Sequence, residues 1–452
     1  MTPVEANRQN DNQKGSQLTI PHPTFGQALR FWVKLGFISF GGPAGQISIM
    51  HHELVEQKKW VSNERFLNAL NYCMLLPGPE AQQLATYIGW LLHRLPGGII
   101  AGAFFVIPSI FILFALSYTY AAFGNISWVA AVFNGLKAAI MAIVVSAVIK
   151  IGKKALKNGI LVGIAAMSFV AIFFLKIPFP VIVLGAGILG LVGSYVLPAK
   201  FNVIKGKDSR DFDNGYVQIC ENPLVCHINP STTRNILLIA VFVILWLAPV
   251  MLLYALVPNR VFYTEAVFFT KAAFLTFGGA YAVLAYIAQA GVEQYAWLAG
   301  PQMIDGLGLA ETTPGPLIMV VQFVGFMAGW NHAAGWSPIL GGMVGSLVAT
   351  YFTFLPCFLF IFLGGPYIEK FRDNDTLSAA LSSITAAVVG VILNLAVWFG
   401  LQVLMPAGGG FNWFAAVIGV AAFALIQWFQ VSIIAVIAAA GVIGFIWYQL
   451  IP

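Results

Sequence analysis

Residues 31–42 read FWVKLGFISFGG, and residues 268–279 read FFTKAAFLTFGG. The two stretches align without a gap and share six of twelve residues. The same shift of 237 positions carries Val55 onto Val292, Trp60 onto Trp297, and Pro77-Gly78-Pro79 onto Pro314-Gly315-Pro316. After an insertion near 331–341 the shift becomes 248. It then brings Pro108 onto Pro356 and Leu136-Lys137-Ala138-Ala139 onto Ile384-Thr385-Ala386-Ala387. The chain is therefore an internal duplication. The duplicated unit is an apolar segment with a buried lysine (Lys34, Lys271) and two helix-breaking sites.

Composition sets the class. Of 452 residues, 59% are hydrophobic and 9% charged, with a mean hydropathy of +0.85. A soluble domain carries about 25% charged residues. Apolar segments of roughly 20 residues, the length that spans a bilayer as a helix, follow one another along most of the chain. The reading is an all-α polytopic membrane protein embedded in lipid, since a β-barrel would show short alternating strands. Residues 1–26 are expected to be a disordered cytoplasmic N-terminus without a cleavable signal peptide. The net charge of +6 resides in loops and does not call for nucleic acid. Cys73 and Cys357 lie in apolar runs as packing residues. Cys220, Cys226 and His227 sit in a polar linker at a spacing that fits no standard zinc pattern.

Thirteen spans are expected: 27–49, 68–92, 97–122, 127–149, 160–175, 178–197, 235–257, 262–289, 302–329, 338–364, 378–403, 411–427 and 430–449. The fifth and sixth, and the twelfth and thirteenth, are short pairs that could be hairpins not fully crossing. The domain reading is a first repeat at 27–197, a cytoplasmic linker at 198–234, a linking helix at 235–257 and a second repeat at 258–452. With the N-terminus inside, fifteen loop lysines and arginines lie inside, against Lys58, Lys59, Arg65, Lys176 and Arg260 outside. That asymmetry favours a cytoplasmic N-terminus and, with an odd span count, an external C-terminus. One unpaired span separates two six-span repeats, so the repeats are expected to be inverted. Inverted repeats place a substrate site near the midplane, between discontinuous helices.

The breaks are where that site is expected. Paired glycines at Gly41-Gly42 and Gly278-Gly279 free the backbone, and Pro43 suits the first turn of a new half-helix. Such a half-helix directs free N–H groups and its positive dipole end at an anion. Ser39 and Thr276 are expected to add hydroxyl donors. Pro77-Gly78-Pro79 and Pro314-Gly315-Pro316 should break the second and ninth spans in the same way. Lys34, Lys137 and Lys271 are the basic residues left within spans, where ionisable groups usually face a cavity or a partner. Lys34 and Lys271 could instead snorkel to the interfaces. The acids within spans are Glu80, Asp305 and Glu311. Glu80 directly follows Pro-Gly-Pro and is read either as a proton carrier or as a salt-bridge partner for a lysine. Glu53, Glu56, Glu64, His51 and His52 read as a solvated segment between the first two spans.

Gly41-Gly42, Val55, Trp60, Pro77-Gly78-Pro79, Gly89 and Gly97 resemble the signature of the chromate ion transporter superfamily, in its long-chain, two-domain form. The second half departs from it, with Phe326 at the place of Gly89 and Thr313 at that of Leu76. The resemblance implies export of chromate across the cytoplasmic membrane, chromate resistance, and sulfate as the structural analogue. It points to Gly41, Gly42, Trp60, Pro77, Gly78 and Pro79; Trp60 reads more simply as an interfacial anchor. The three lysines would complement the anion's charge. Exporting a dianion from a negative interior releases roughly 4.6 kcal/mol per 100 mV, so potential or proton motive force suffices. A sulfate or related oxyanion carrier is the alternative. A membrane-bound reductase is a remote one, because there is no dinucleotide fingerprint, intramembrane histidine pair or Cys–His cluster. No cofactor or metal is expected, and a homo-oligomer stays open.

Overall fold

The computed structural model of the chain describes residues 22–201, 231–258, 260–277, 279–367, 375–406 and 409–450. Most of the expected N-terminal tail and polar linker, including Cys220, Cys226 and His227, lies outside them, as does Gly278. Among the described residues there are helices and no strands. In chain order they are α1 (Phe25–Ile38), α2 (Gly42–His51), α3 (Asn63–Leu75), α4 (Glu80–Phe123), α5 (Ser127–Ala155), α6 (Gly159–Phe173), α7 (Phe179–Val196) and α8 (Thr232–Leu256). Then come α9 (Val261–Leu275), α10 (Ala280–Ala288), α11 (Gly300–Thr312), α12 (Val320–His332), α13 (Pro338–Gly364), α14 (Asp375–Leu404), α15 (Trp413–Gln427) and α16 (Ile433–Leu450). Among the described residues, seven helices are long and apolar enough to cross a membrane. The chain is a multi-pass membrane protein.

The duplication is written into the backbone. α2 and α10 both continue into a π-helical turn, at His52–Gln57 and at Gln289–Gln294, which are related by the same shift of 237. Residues with positive φ also recur in pairs: Gly42 with Gly279, Lys59 with Ala296 and Gly78 with Gly315 at that shift, and Lys176 with Gln430 between the last two helices of each copy. Side-chain identity has drifted between the copies, but the places where the chain must turn have not.

The first and eighth expected spans are each two helices, α1/α2 and α9/α10, parted at the glycine pairs. The second and ninth are parted at Pro-Gly-Pro. A repeat read as six spans is therefore eight helical segments. The loop expected between 92 and 97 is a sharp reversal at His93 and Arg94, whose backbone is non-helical (Arg94 φ 56°, ψ −153°). It folds α4 into a hairpin, since Gly89 lies against Gly97 and Ala101, and Gly102 against Gln82 and Thr86. The glycines there let two backbones approach closely. In the second copy Gly325 lies against Gly345, and Gly329 against Gly341. Phe326 at the position of Gly89 is thus accommodated because the small residue has moved one place earlier.

The two copies exchange partners. α5 of the first packs against α15 and α16 of the second, while α14 of the second packs against α6 and α7 of the first. α5 and α14 also pack on each other. Pairwise exchange of this kind is the signature of two-fold-related surfaces.

Candidate functional site

Two hydrogen bonds define the junction of the copies. The Gly78 N–H donates to the Thr276 carbonyl at 2.8 Å, and the Gly315 N–H donates to the Ser39 carbonyl at 2.7 Å. The second bond is the first shifted by 237 at both ends. Each Pro-Gly-Pro loop is therefore tied to the glycine break of the other copy. Gly78 (φ 126°) and Gly315 (φ 103°) hold a backbone that side chains rarely adopt. The flanking prolines keep the loop out of helix.

The surrounding side chains serve the same loops. Ser109 Oγ donates to the Pro314 carbonyl, and its counterpart at the shift of 248, Cys357, sits against Gly78. Gln83 Nε2 donates to the Pro77 carbonyl at 2.7 Å, and Gln46 Nε2 to the Gly315 carbonyl at 2.5 Å. Gln46, Gln82 and Gln83 are buried, and the amide oxygen of each has no partner among the described residues. Their counterparts are Val283, Met319 and Val320. The amide-rich side of the junction thus belongs to the first copy.

Beside each loop lie helix starts with no side-chain cap. α2 follows Gly41 (φ 85°) and Gly42 (φ 69°), with Pro43 in its first turn. α10 follows Gly279 (φ 95°), and α4 follows Pro79. Uncapped first-turn amides are free donors that favour negative charge. Their exposure is uneven: Gly41 and Ala44 are exposed at the start of α2, whereas Ala280 is buried. The structure thus gathers Ser39, Gly41, Gly42, Pro77, Gly78, Pro79, Thr276, Gly279, Pro314, Gly315 and Pro316 along one inter-repeat seam.

Four expectations change. The hydroxyls of Ser39 and Thr276 are not free donors: they bond the Leu35 and Ala272 carbonyls, at 2.6 and 2.7 Å, closing the last turn of α1 and of α9. These residues meet the opposite loop through their own carbonyls. Lys34 is not buried; its side chain is 56% exposed and its ammonium bonds Glu53 at 2.6 Å. Lys271 is also exposed. Both lie on apolar segments but on faces that neighbouring helices leave open. Glu53 is not freely solvated, because it takes Lys34 and Lys58 together, the latter at 3.2 Å. The hydrogen bond from Lys34 holds the Glu53 carboxyl below the usual carboxylate range. Finally, Glu80 is half-buried and makes no direct ion pair with Lys34, Lys137 or Lys271; the cation that acts on it, from beyond contact distance, is Lys154.

Lys137 has a different partner. Its ammonium lies 3.4 Å from Asp305 of the other copy, and Tyr120 donates to the same carboxylate at 2.9 Å. Asp305 is 2% exposed. At the related positions the chain has Thr385 and Asn68, so only one of two equivalent places is charged. The sequence reading passed over Glu265, which is fully buried on α9 with neither oxygen bonded among the described residues. Its position inside an apolar run was the available signal. Trp60 is 9% exposed and edge-packs on Phe31, with Lys58 5.8 Å above both rings.

A family profile described as "Chromate transporter" matches residues 26–191 and 264–445, both copies of the duplication. The chain belongs to the chromate transporter family. It is 28% identical over 439 residues to the chromate transport protein of Cupriavidus metallidurans, covering 97% of this chain and 96% of that protein. It is 30% identical over 378 residues to the chromate transport protein of Pseudomonas aeruginosa, covering 82% and 80%. An uncharacterised transporter of Methanocaldococcus jannaschii is 22% identical over 378 residues, covering 82% and 83%. No solved structure matches. Within this chromate transporter family member, the profile takes in both glycine breaks and both Pro-Gly-Pro loops.

Proposed function

We propose that this chain carries chromate out across the cytoplasmic membrane, conferring chromate resistance, as a secondary transporter driven by membrane potential or proton motive force. The observation that carries the reading is the reciprocal pair Gly78–Thr276 and Gly315–Ser39. It sets broken helices and uncapped helix starts from two related units at one seam, the arrangement transporters use to meet a charged substrate between moving halves. Names borne by the relatives supply the anion: the proteins of C. metallidurans and P. aeruginosa are chromate transport proteins.

In this reading the copies are inverted in the inner membrane, thirteen crossings are made with the N-terminus inside, and α8, which has no copy, reverses the second unit. The anion binds at the seam through amides at the starts of α2, α4 and α10. Lys34 and Lys271 draw it in, with Lys34 leaving Glu53 to do so, and Lys137 offers positive charge from deeper within. A sulfate or related oxyanion carrier is the second reading, because a tetrahedral dianion of similar size presents nearly the same acceptors.

Everted vesicles decide between them. Chromate should accumulate under an inside-positive potential, and sulfate should compete. Saturable sulfate flux without chromate flux would overturn chromate as the substrate.

A further inference from the structure

The two copies have diverged in a particular way. The first copy buries Gln46, Gln82 and Gln83, compared with Gln322 of the second, and the second buries Glu265, Asp305 and Glu311, standing where the first copy has Ala28, Asn68 and Met74. Asp305 has its cation in Lys137. Glu311 has none. It is 6% exposed, accepts a hydrogen bond from Tyr281 at 2.6 Å, and makes no ion pair among the described residues.

Its place matters as much as its burial. Glu311 is on the last turn of α11, three residues before Pro314. Tyr281 is the second residue of α10, two after Gly279. The pair therefore bridges the two breaks of the second copy. One of those breaks binds the first copy through Gly315 and Ser39, the other through Thr276 and Gly78.

We infer that Glu311, held by Tyr281, is a proton-binding site that loads together with the anion, so that a dianion crosses with one proton and moves one net charge. This rests on the proposed anion transport at the same seam. A carboxylate so buried and without a cation is costly when ionised. A dianion arriving at the neighbouring helix starts adds like charge and raises that cost, which favours the protonated form. Coupling of this kind is reciprocal: the proton on Glu311 favours the anion as the anion favours the proton. The other titratable groups around α11 do not offset the charge. Lys137 of α5 and Tyr120 of α4 face Asp305. His332 of α12 bonds the Ala296 carbonyl, and Tyr448 of α16 and the terminal Lys153 and Lys154 of α5 are exposed. Glu80 opens α4 and Asp375 opens α14, and both are acids.

The test uses the full chain in sealed proteoliposomes with an entrapped pH dye, under a potassium-diffusion potential. Wild-type chromate flux should carry one proton in the same direction. The limiting chromate gradient should change about 50-fold per 100 mV, the value for one charge, rather than the roughly 2,000-fold of two. Glu311→Gln should carry chromate without protons and shift to the steeper dependence. Tyr281→Phe keeps the carboxylate and should still carry the proton, with its pH dependence displaced. Where Glu311→Gln fails to fold, Tyr281→Phe carries the assignment: a pH dependence of coupled flux unchanged from the wild type overturns Glu311 as the site. Anion flux without protons in the wild type overturns Glu311 as the site, and so does proton-coupled flux in Glu311→Gln. Proton-coupled sulfate flux without chromate flux overturns chromate as the substrate and upholds Glu311. No flux of either anion overturns both.

Discussion

Gly315→Ala should be among the most damaging single-methyl changes in this protein, and its cost can be worked out from the junction. Gly315 holds φ at 103°, where a Cβ costs about 1–2 kcal/mol in backbone strain. The added methyl runs into Ser109 Oγ, with Ser109 Cβ at 3.2 Å behind it. Overpacking at a close-packed site costs about 1–3 kcal/mol. The Ser109 hydroxyl would also be driven off the Pro314 carbonyl, and a buried hydrogen bond contributes about 1 kcal/mol. The sum is on the order of 3–6 kcal/mol. The damage falls on the loop whose N–H joins the Ser39 carbonyl, so flux should fall together with stability.

Unfolding in mixed detergent micelles measures the cost, and a double-mutant cycle assigns it. In a Ser109→Ala background the hydroxyl is gone, so Gly315→Ala should cost at least about 1 kcal/mol less than in the wild type, a coupling typical of residues in contact. Gly78→Ala should be milder although φ is 126°, because its methyl meets Gln83 Nε2 at 2.7 Å and Cys357 Sγ at 2.8 Å, and the glutamine end can swing away. Gly185→Ala is the control of opposite sign. It lies within α7 with nothing near its missing methyl, so alanine should stabilise by about 0.5–1 kcal/mol. A Gly315→Ala cost below about 1 kcal/mol, or one unchanged by Ser109→Ala, would refute the claim that this contact holds the two copies together.

Three further outcomes follow from charged pairs. Lys137→Met leaves Asp305 buried without its cation and should destabilise by about 3–5 kcal/mol. Lys137→Thr with Asp305→Asn, which installs the residues of the related position, should recover most of that loss, and the same unfolding assay reads it. The depressed Glu53 carboxyl contributes stability that is fully present above its unfolded pKa, near 4.3, and is lost as pH falls through its folded value. Trp60 fluorescence should therefore report loosening of residues 52–60 only in acid. Lys34→Met should move that transition to higher pH, by no more than about 1 kcal/mol of effect because Lys34 is mostly exposed. If Lys34 and Lys271 neutralise the incoming anion, Lys→Met at either should abolish chromate flux in vesicles while membrane insertion persists. Wild-type flux in both variants would sink that role.

The turning points were legible in the sequence because glycine and proline act on the backbone locally. Gly41, Gly78, Gly279 and Gly315 mark breaks whatever packs around them, and their recurrence at one shift exposed the duplication. What a lysine or a serine does was not legible, because that depends on which face the helix presents. Lys34 reads as buried within FWVKLGFISFGG, yet its face is open and Glu53 reaches it from nineteen residues away. Ser39 reads as a free donor, yet a hydroxyl at the end of a helix bonds back to the carbonyl four residues earlier. The reversal at His93–Arg94 falls in the loop expected between the spans ending at 92 and starting at 97, but how closely its two arms pack was not legible. Its signal is the approach of Gly89 to Gly97, a contact rather than a motif.

The duplication itself explains which features could drift. A contact that ties each copy to the other through backbone atoms, as Gly78 to Thr276 and Gly315 to Ser39, needs the same dihedral angles twice, so both glycines are kept. Side chains around it meet no such demand. Ser109 and Cys357 fill matching places with different chemistry, and Lys137 with Asp305 stands opposite Thr385 with Asn68. Two identical copies would present the anion with two equivalent seams and give a proton no preferred place. With most of the buried amides in the first copy and the buried acids in the second, the two sides of the seam differ in chemistry, and the proton's carboxyl, Glu311, stands on the second. Transplanting Glu311 to its counterpart at Met74, with Glu311→Met, tests that division. If only the two-fold geometry matters, Met74→Glu should restore proton coupling to Glu311→Met. If the amide side is reserved for the anion, the paired variant should carry chromate without protons.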